Sequence, residues 1–76
     1  MAVWFITGTS RGLGHFLVQN LLEQGHQVAS LSRKGNIGIQ HENLLNLQAD
    51  LQDAQSVQHA VQQTLDRFGR IDRVVN

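Results

Sequence analysis

Three glycines crowd the stretch TGTSRGLG, where an apolar run ends and an apolar helical pattern begins. Gly8, Gly12 and Gly14 follow the run AVWFI and precede HFLVQNLLEQG. A glycine inside a helix lowers its stability by about 1 kcal/mol relative to alanine. The three glycines therefore indicate that the backbone at this junction must be free of side chains. A tight turn, a closely approaching ligand and a close helix–sheet contact would each favour glycine.

Strand and helix patterns lie on either side of this junction. The continuous apolar run predicts a buried strand at Ala2–Ile6, and a helix follows from about Gly12. Gly25 stands where a helix favours a left-handed residue after its end. The predicted buried stripe of this helix consists of apolar residues at helical spacing: Leu13, Phe16, Leu17, Leu21 and Leu22.

Two more strands flank the segment RKGNIGIQHEN. QVASLS predicts a strand at Gln27–Ser32, and LLNLQA predicts one at Leu44–Ala49. The segment between them is predicted to be a loop with one short turn near His41–Asn43, because its glycines interrupt any helix.

The last third of the chain repeats the helix-to-strand pattern. Asp53 is a good N-cap for a helix over about Ala54–Phe68 that Gly69 closes, and DRVVN begins a fourth strand. The predicted core face of this helix is Val57, Ala60, Val61, Thr64, Leu65 and Phe68. The pattern β-α-β-β-α-β predicts an α/β fold, the first half of a Rossmann-type doubly wound parallel sheet, with strand order 3-2-1-4.

In this topology, a ligand crevice is expected at the carboxyl ends of strands one and four. Gly8 suits the tight turn, Gly12 the close approach of a pyrophosphate, and Gly14 the packing of the helix on the sheet. The N–H groups of the first helical turn would hold the anion, and Thr9 and Ser10 would add hydroxyl donors. A tight turn with no ligand is the alternative. A P-loop is excluded, because no Gly-Lys-Ser/Thr follows the glycines.

Three motifs resemble those of the short-chain dehydrogenase/reductase family. TGTSRGLG resembles its Thr-Gly-x-x-x-Gly-x-Gly motif, ADLQD resembles its Asp-Val/Leu motif, and FGRIDRVVN resembles FGxIDxLVNNAG up to the first Asn. The resemblance implies that residues 1–76 are the N-terminal part of one NAD(P)-binding domain. It implies an adenine contact at Asp50, and it adds Leu13, Leu51 and Asn76 to the cofactor-binding residues, although a terminal residue such as Asn76 can fray.

The chain departs from the family in two places. Phe16 stands where the family commonly has a small residue, so it is expected to push the first helix slightly off the sheet. A short, glycine-broken segment replaces a full second helix.

Two arginines bear on which dinucleotide would bind. An acid about 20 residues after the glycines binds the ribose 2′-OH of NAD, but that place falls at Ser32 and no acid is near. Arg33 follows, and Arg11 lies inside the glycine segment; both can bond a 2′-phosphate. NADP is therefore the predicted cofactor, with NAD as the alternative. Arg33 and Lys34 could also be a solvated strand end, and Asp50 a polar strand terminus.

The family's catalytic group has no counterpart here. The resemblance implies hydride transfer between NADP and an alcohol or carbonyl substrate, with a Tyr four residues before a Lys as general acid/base. The chain contains no Tyr, and its one Lys is Lys34. We therefore expect the cofactor-binding part of an NADP-dependent oxidoreductase whose catalytic half lies elsewhere. A truncated nucleotide-binding module and a non-binding interaction module remain the alternatives.

Charge and composition exclude some classes of binding partner. Six basic and six acidic residues balance to a formal charge of +0, so neither nucleic acid nor a membrane surface is an expected partner. There is no Cys and no signal-peptide pattern, and a cytoplasmic protein is predicted. An open edge at the fourth strand predicts a homo-oligomer. The scattered histidines, His15, His26, His41 and His59, predict no metal site.

Overall fold

Four parallel strands form one sheet in the computed structural model, which describes residues 1–76. The elements along the chain are β1 (Val3–Thr7), α1 (Gly12–Glu23), β2 (Gln27–Ser32), β3 (Leu44–Gln48), α2 (Ala54–Phe68) and β4 (Arg73–Val75). The strand order is β3-β2-β1-β4, and the predicted α/β class, Rossmann-type topology and strand order are confirmed. β1 begins and ends one residue later than predicted, and β3 ends one residue earlier than predicted.

The sheet separates two apolar clusters, because successive strand side chains point to opposite faces. Ile6 and Val28 lie in the cluster covered by α1, whereas Phe5 and Ala29 lie in the cluster that includes Ala60 of α2. β2 is buried from Val28 to Ser32. A strand covered on both faces shows no alternation of buried and exposed residues, and in β2 the polar Ser30 and Ser32 are buried together with Val28, Ala29 and Leu31.

The buried face of α1 differs from the predicted stripe. Val18, Leu21 and Leu22 are buried, whereas Leu13 is 82% exposed and Phe16 is 61% exposed. At about 100° per residue, Phe16 falls almost opposite the centre of the three buried side chains. The prediction that Phe16 pushes this helix off the sheet is therefore wrong, because its ring faces away from the sheet.

The predicted ends of α2 are confirmed. The Asp53 carboxylate accepts a hydrogen bond from the Gln55 N–H at 3.0 Å, as an N-cap does. Gly69 has φ +84° and its N–H donates to the Leu65 carbonyl. Ala60 and Thr64 are buried, but Leu65 is more than one-third exposed, because it lies at the edge of the stripe that those two define. No helix in the structure is both long and apolar enough to cross a bilayer.

At the amino end of the sheet, hydrogen bonds of Arg70 and Asp72 form a clamp that joins β1 to β4. The Asp72 carboxylate accepts from the Val3 N–H at 2.7 Å and from Arg70 Nε at 2.9 Å. The Arg70 guanidinium also donates to the Met1 carbonyl at 3.0 Å, and the Asp72 N–H donates to the Val3 carbonyl. The Val3 N–H, and after it the Arg70 guanidinium, hold the pKa of Asp72 below its ordinary value.

This clamp predicts an acid dependence of stability. A carboxyl whose pKa is lower in the folded state stabilises the fold above its unfolded pKa of about 3.9. That stabilisation is lost as the pH falls through the folded pKa. Urea-unfolding midpoints of the wild type should therefore fall more steeply below about pH 4 than those of Asp72→Asn. Glu23→Gln removes an exposed carboxylate outside the clamp and should keep the wild-type slope; equal slopes for all three proteins would contradict the clamp.

Candidate dinucleotide site

The glycine segment forms the connection from β1 to α1, and two different structural constraints account for its three glycines. Gly8 and Gly12 have φ values of +66° and +69°, in the left-handed region that disfavours a side chain. Gly14 has no such constraint, but a Cβ placed on it would overlap the carbonyl oxygen of Gly8. The tight turn predicted at Gly8 is present. Gly14 was predicted to let the helix pack on the sheet, but the atoms nearest to it are the backbone of Gly8 and Thr9, in the turn that follows β1.

The two hydroxyl groups of this segment have different surroundings. Thr9 is fully buried, and its Oγ1 bonds Ser30 Oγ at 2.6 Å and donates to the Leu31 carbonyl at 3.2 Å. The prediction that the Thr9 hydroxyl serves as a free donor is therefore wrong, because this hydroxyl ties the turn to β2. Ser10 is exposed and lines the cleft described next.

A cleft of about 580 Å³ lies over the carboxyl ends of β1, β2 and β3. Six of its lining residues were predicted as cofactor-binding residues: Gly8, Ser10, Arg11, Arg33, Asp50 and Leu51. The other five are Leu31, Ser32, Lys34, Ala49 and Gln52. Thr9, Gly12, Leu13, Gly14 and Asn76 are not among the residues that line it.

No residue of β4 lines the cleft, whereas the crevice was predicted at the carboxyl ends of strands one and four. The connections that follow β2 and β3 form its walls, and Asn76 at the end of β4 is exposed. Sequence reasoning did not include Lys34 and Gln52. The position of Lys34 directly after Arg33 could have identified it as a lining residue. No sequence pattern identifies Gln52, because a turn brings it to the cleft; in this turn its N–H donates to Asp50 Oδ1 at 3.0 Å.

The cleft carries an excess of positive charge in a chain that is neutral overall. Arg11, Arg33 and Lys34 line it, with Asp50 as the one carboxylate. The ion pair of this structure is Arg70–Asp72, at the opposite end of the sheet. None of the three cations has a carboxylate within salt-bridge distance, so they are free to bind an anion.

The amino end of α1 lies beside this cleft and offers backbone donors. Arg11 occupies the N-cap position in extended conformation, no side chain caps the helix, and its first turn contains no acidic residue. The first N–H groups of a helix have no partner within the helix and lie at the positive end of its dipole. A phosphate group fits such an end, and the neighbouring unpaired arginines strengthen this attraction.

The histidines lie apart from one another. His15 Nε2 is 3.0 Å from the Ile37 carbonyl, and His26 Nδ1 accepts from the Ala2 N–H. His41 and His59 are exposed. No group of three His, Cys, Asp or Glu residues is positioned to hold a metal ion.

Known proteins are similar to this chain in sequence and in fold. Residues 2–76 match the short chain dehydrogenase family. An uncharacterized oxidoreductase of Schizosaccharomyces pombe is 44% identical over 72 residues, which are 93% of this chain and 25% of that protein. A 3-ketodihydrosphingosine reductase of Bacteroides thetaiotaomicron is 39% identical over 71 residues, which are 93% of this chain and 26% of that protein.

A solved structure agrees with these sequence matches. A 3-ketoacyl-(acyl-carrier-protein) reductase from Brucella melitensis, complexed with NADH, superposes with a TM-score of 0.85 at 26% identity, over 96% of this chain and 32% of that one. The chain spans about a quarter of the length of the curated relatives that it matches. Because the family match covers nearly every residue, from the glycine turn to the end of β4, the chain belongs to the short-chain dehydrogenase family.

Proposed function

We propose that this chain is the NADP(H)-binding part of an oxidoreductase that transfers a hydride between NADP and an alcohol or carbonyl substrate. The observation that carries the proposal is the presence of two unpaired arginines, Arg11 and Arg33, in one cleft beside an uncapped helix. The helix end suits the diphosphate that NAD and NADP share. The arginines suit the 2′-phosphate that only NADP carries.

The placement of the one cleft carboxylate supports NADP over NAD. An NAD site holds the ribose 2′-OH with an acid at the end of β2, and here that position is Ser32. Asp50 follows β3 instead, and its Oδ1 already accepts from the Gln52 N–H. The family resemblance implies that Asp50 contacts the adenine. The groups near the ribose would then be the cations Arg11 and Arg33 rather than a carboxylate.

Different groups of the site would bind different parts of the cofactor. The free N–H groups at the start of α1 and the Ser10 hydroxyl would bind the diphosphate, and Arg11 and Arg33 would bind the 2′-phosphate. When bound, the cofactor supplies the hydride. The 76 residues contain no Tyr, so we assign cofactor binding to this chain and hydride transfer to the whole protein. A nucleotide-binding module without catalysis is the alternative.

Location and assembly belong to the same proposal. We place the protein in the cytoplasm, where nicotinamide cofactors are available to a reductase. We also propose that the whole protein forms a homo-oligomer. The substrate is a small molecule with a carbonyl or alcohol group.

Direct binding to the two cofactors tests the proposal. The purified protein, titrated by calorimetry with NADP⁺ and NAD⁺, should bind NADP⁺ about 10²-fold more tightly, because charge-assisted hydrogen bonds contribute about 1.5–3 kcal/mol each. The preference should shrink as salt is added, since exposed charges are screened. Equal affinity for the two cofactors, or a preference for NAD⁺, would contradict the NADP assignment.

A further inference from the structure

A closed turn follows β2 and bears two of the cleft cations. The Ser32 hydroxyl oxygen accepts a hydrogen bond from the Gly35 N–H at 3.0 Å, and this bond is buried. Arg33 and Lys34 are the two residues inside the loop that the bond closes. Both are exposed and both line the cleft.

The turn is attached to the sheet at both ends. The Ser32 carbonyl accepts from the Ala49 N–H at 3.0 Å, which joins the start of the turn to the residue after β3. Gly35 has φ +79°, and a Cβ placed on it would lie 3.2 Å from the Cβ of Gln48. The end of the turn therefore packs closely against β3 in a conformation that favours glycine.

The Ser32–Gly35 bond reduces the freedom of the backbone that bears Arg33 and Lys34. A binding group that is already held near its bound geometry loses less conformational entropy when the ligand arrives. The Ser32 hydroxyl can therefore change the affinity for an anion that these cations bind, although it carries no charge itself.

We propose that Ser32 is a positioning residue for the 2′-phosphate of the cofactor. Its hydroxyl bond to Gly35 holds Arg33 and Lys34 over the cleft and so sets part of the preference for NADP over NAD. This inference rests on the proposed function. It also extends the set of determinants beyond the two arginines, to Lys34 and to an uncharged hydroxyl.

Two nucleotides that differ only in the 2′-phosphate test this inference. The protein and its Ser32→Ala variant are titrated by calorimetry with adenosine 2′,5′-bisphosphate and with AMP. Loss of the turn bond should weaken bisphosphate binding about three- to tenfold, with little change for AMP. Ser32→Thr keeps the hydroxyl and should restore most of the preference.

A matched control separates positioning from general destabilisation. Thr64→Val removes another buried hydroxyl, which bonds the Ala60 carbonyl within α2 rather than the turn, and should leave the ratio of the two affinities at the wild-type value. If Ser32→Ala does not fold, Ser32→Cys fills the same space with a weak acceptor and should lower the ratio in the same direction.

The outcomes separate this inference from the proposed function. If the wild-type protein binds the two nucleotides equally, this result would contradict both the NADP assignment and the role of Ser32. Wild-type protein that prefers the bisphosphate, with an unchanged preference in Ser32→Ala or Ser32→Cys, would overturn the role of Ser32 alone. A parallel loss of both affinities would also overturn it, because such a loss indicates only a structural effect.

Discussion

Arg33→Asp should reverse the cofactor preference, with NADP⁺ binding at least about 10²-fold more weakly than to the wild type. Arg33 is exposed in the cleft and has no carboxylate partner, so its replacement breaks no ion pair of the fold. The new carboxylate would repel a 2′-phosphate. It could also accept a hydrogen bond from a ribose 2′-OH, so NAD⁺ affinity should hold or rise.

Calorimetry with both cofactors measures this reversal, and Arg73→Asp is the matched control. Arg73 is also exposed but lies in β4, paired with Trp4, outside the cleft. The two variants have the same net charge, so a long-range effect of charge would appear equally in both. An unchanged NADP/NAD ratio in Arg33→Asp would contradict the assignment of Arg33 to the 2′-phosphate.

The fold could be predicted because its signals are local. The Asp53 cap, the left-handed Gly69 and the continuous apolar run of β1 each identify one element from a few neighbouring residues. Alternation of strands and helices then leaves few topologies, because parallel strands need long crossover connections. The loop between β2 and β3 was also predictable, since Gly35 and Gly38 both require positive φ.

The rotation of α1 could not be predicted in the same way. Leu13 and Phe16 are apolar, yet both are exposed, and Val18 occupies the core in their place. Apolar residues occur on several sides of this helix, so the sequence pattern does not determine which side faces the sheet. The two-sided pattern of α2 is clearer, and there the error is confined to Leu65 at the edge of the stripe.

Contacts distant in sequence account for the other differences. The Thr9 hydroxyl meets Ser30, 21 residues away, and the Asp72 carboxylate meets the Val3 N–H, 69 residues away. No spacing rule links such pairs before the strand register is known. The predicted site residues that line the cleft lie in short motifs at strand ends, where the topology alone brings them together.

The second large effect is expected at Gly14, where helix propensity and packing oppose each other. Alanine in a helix is favoured over glycine by about 1 kcal/mol, and Gly14 has no positive φ to prevent the change. A Cβ there would overlap the Gly8 carbonyl oxygen and lie 3.2 Å from the Gly8 carbonyl carbon. These are backbone atoms of a tight turn, which cannot rotate away as a side chain can.

Gly14→Ala should therefore lower the free energy of unfolding by about 3 kcal/mol, in the range of strain from overpacking. For a domain of this size, that is a large part of a total of order 5 kcal/mol. Urea unfolding followed by the fluorescence of Trp4, the one tryptophan of the chain, measures the change.

Two further variants of α1 identify the cause. Gln19→Ala changes an exposed position of the same helix and should shift stability by less than about 0.5 kcal/mol. Gly12→Ala meets nothing within 4 Å but carries the positive φ, so it should lose about 1–2 kcal/mol through backbone strain alone. A Gly14→Ala protein as stable as the wild type would mean that the turn relaxes and helix propensity prevails. The third glycine would then have no packing role, and its presence would have to be explained by a ligand that approaches the backbone at that point.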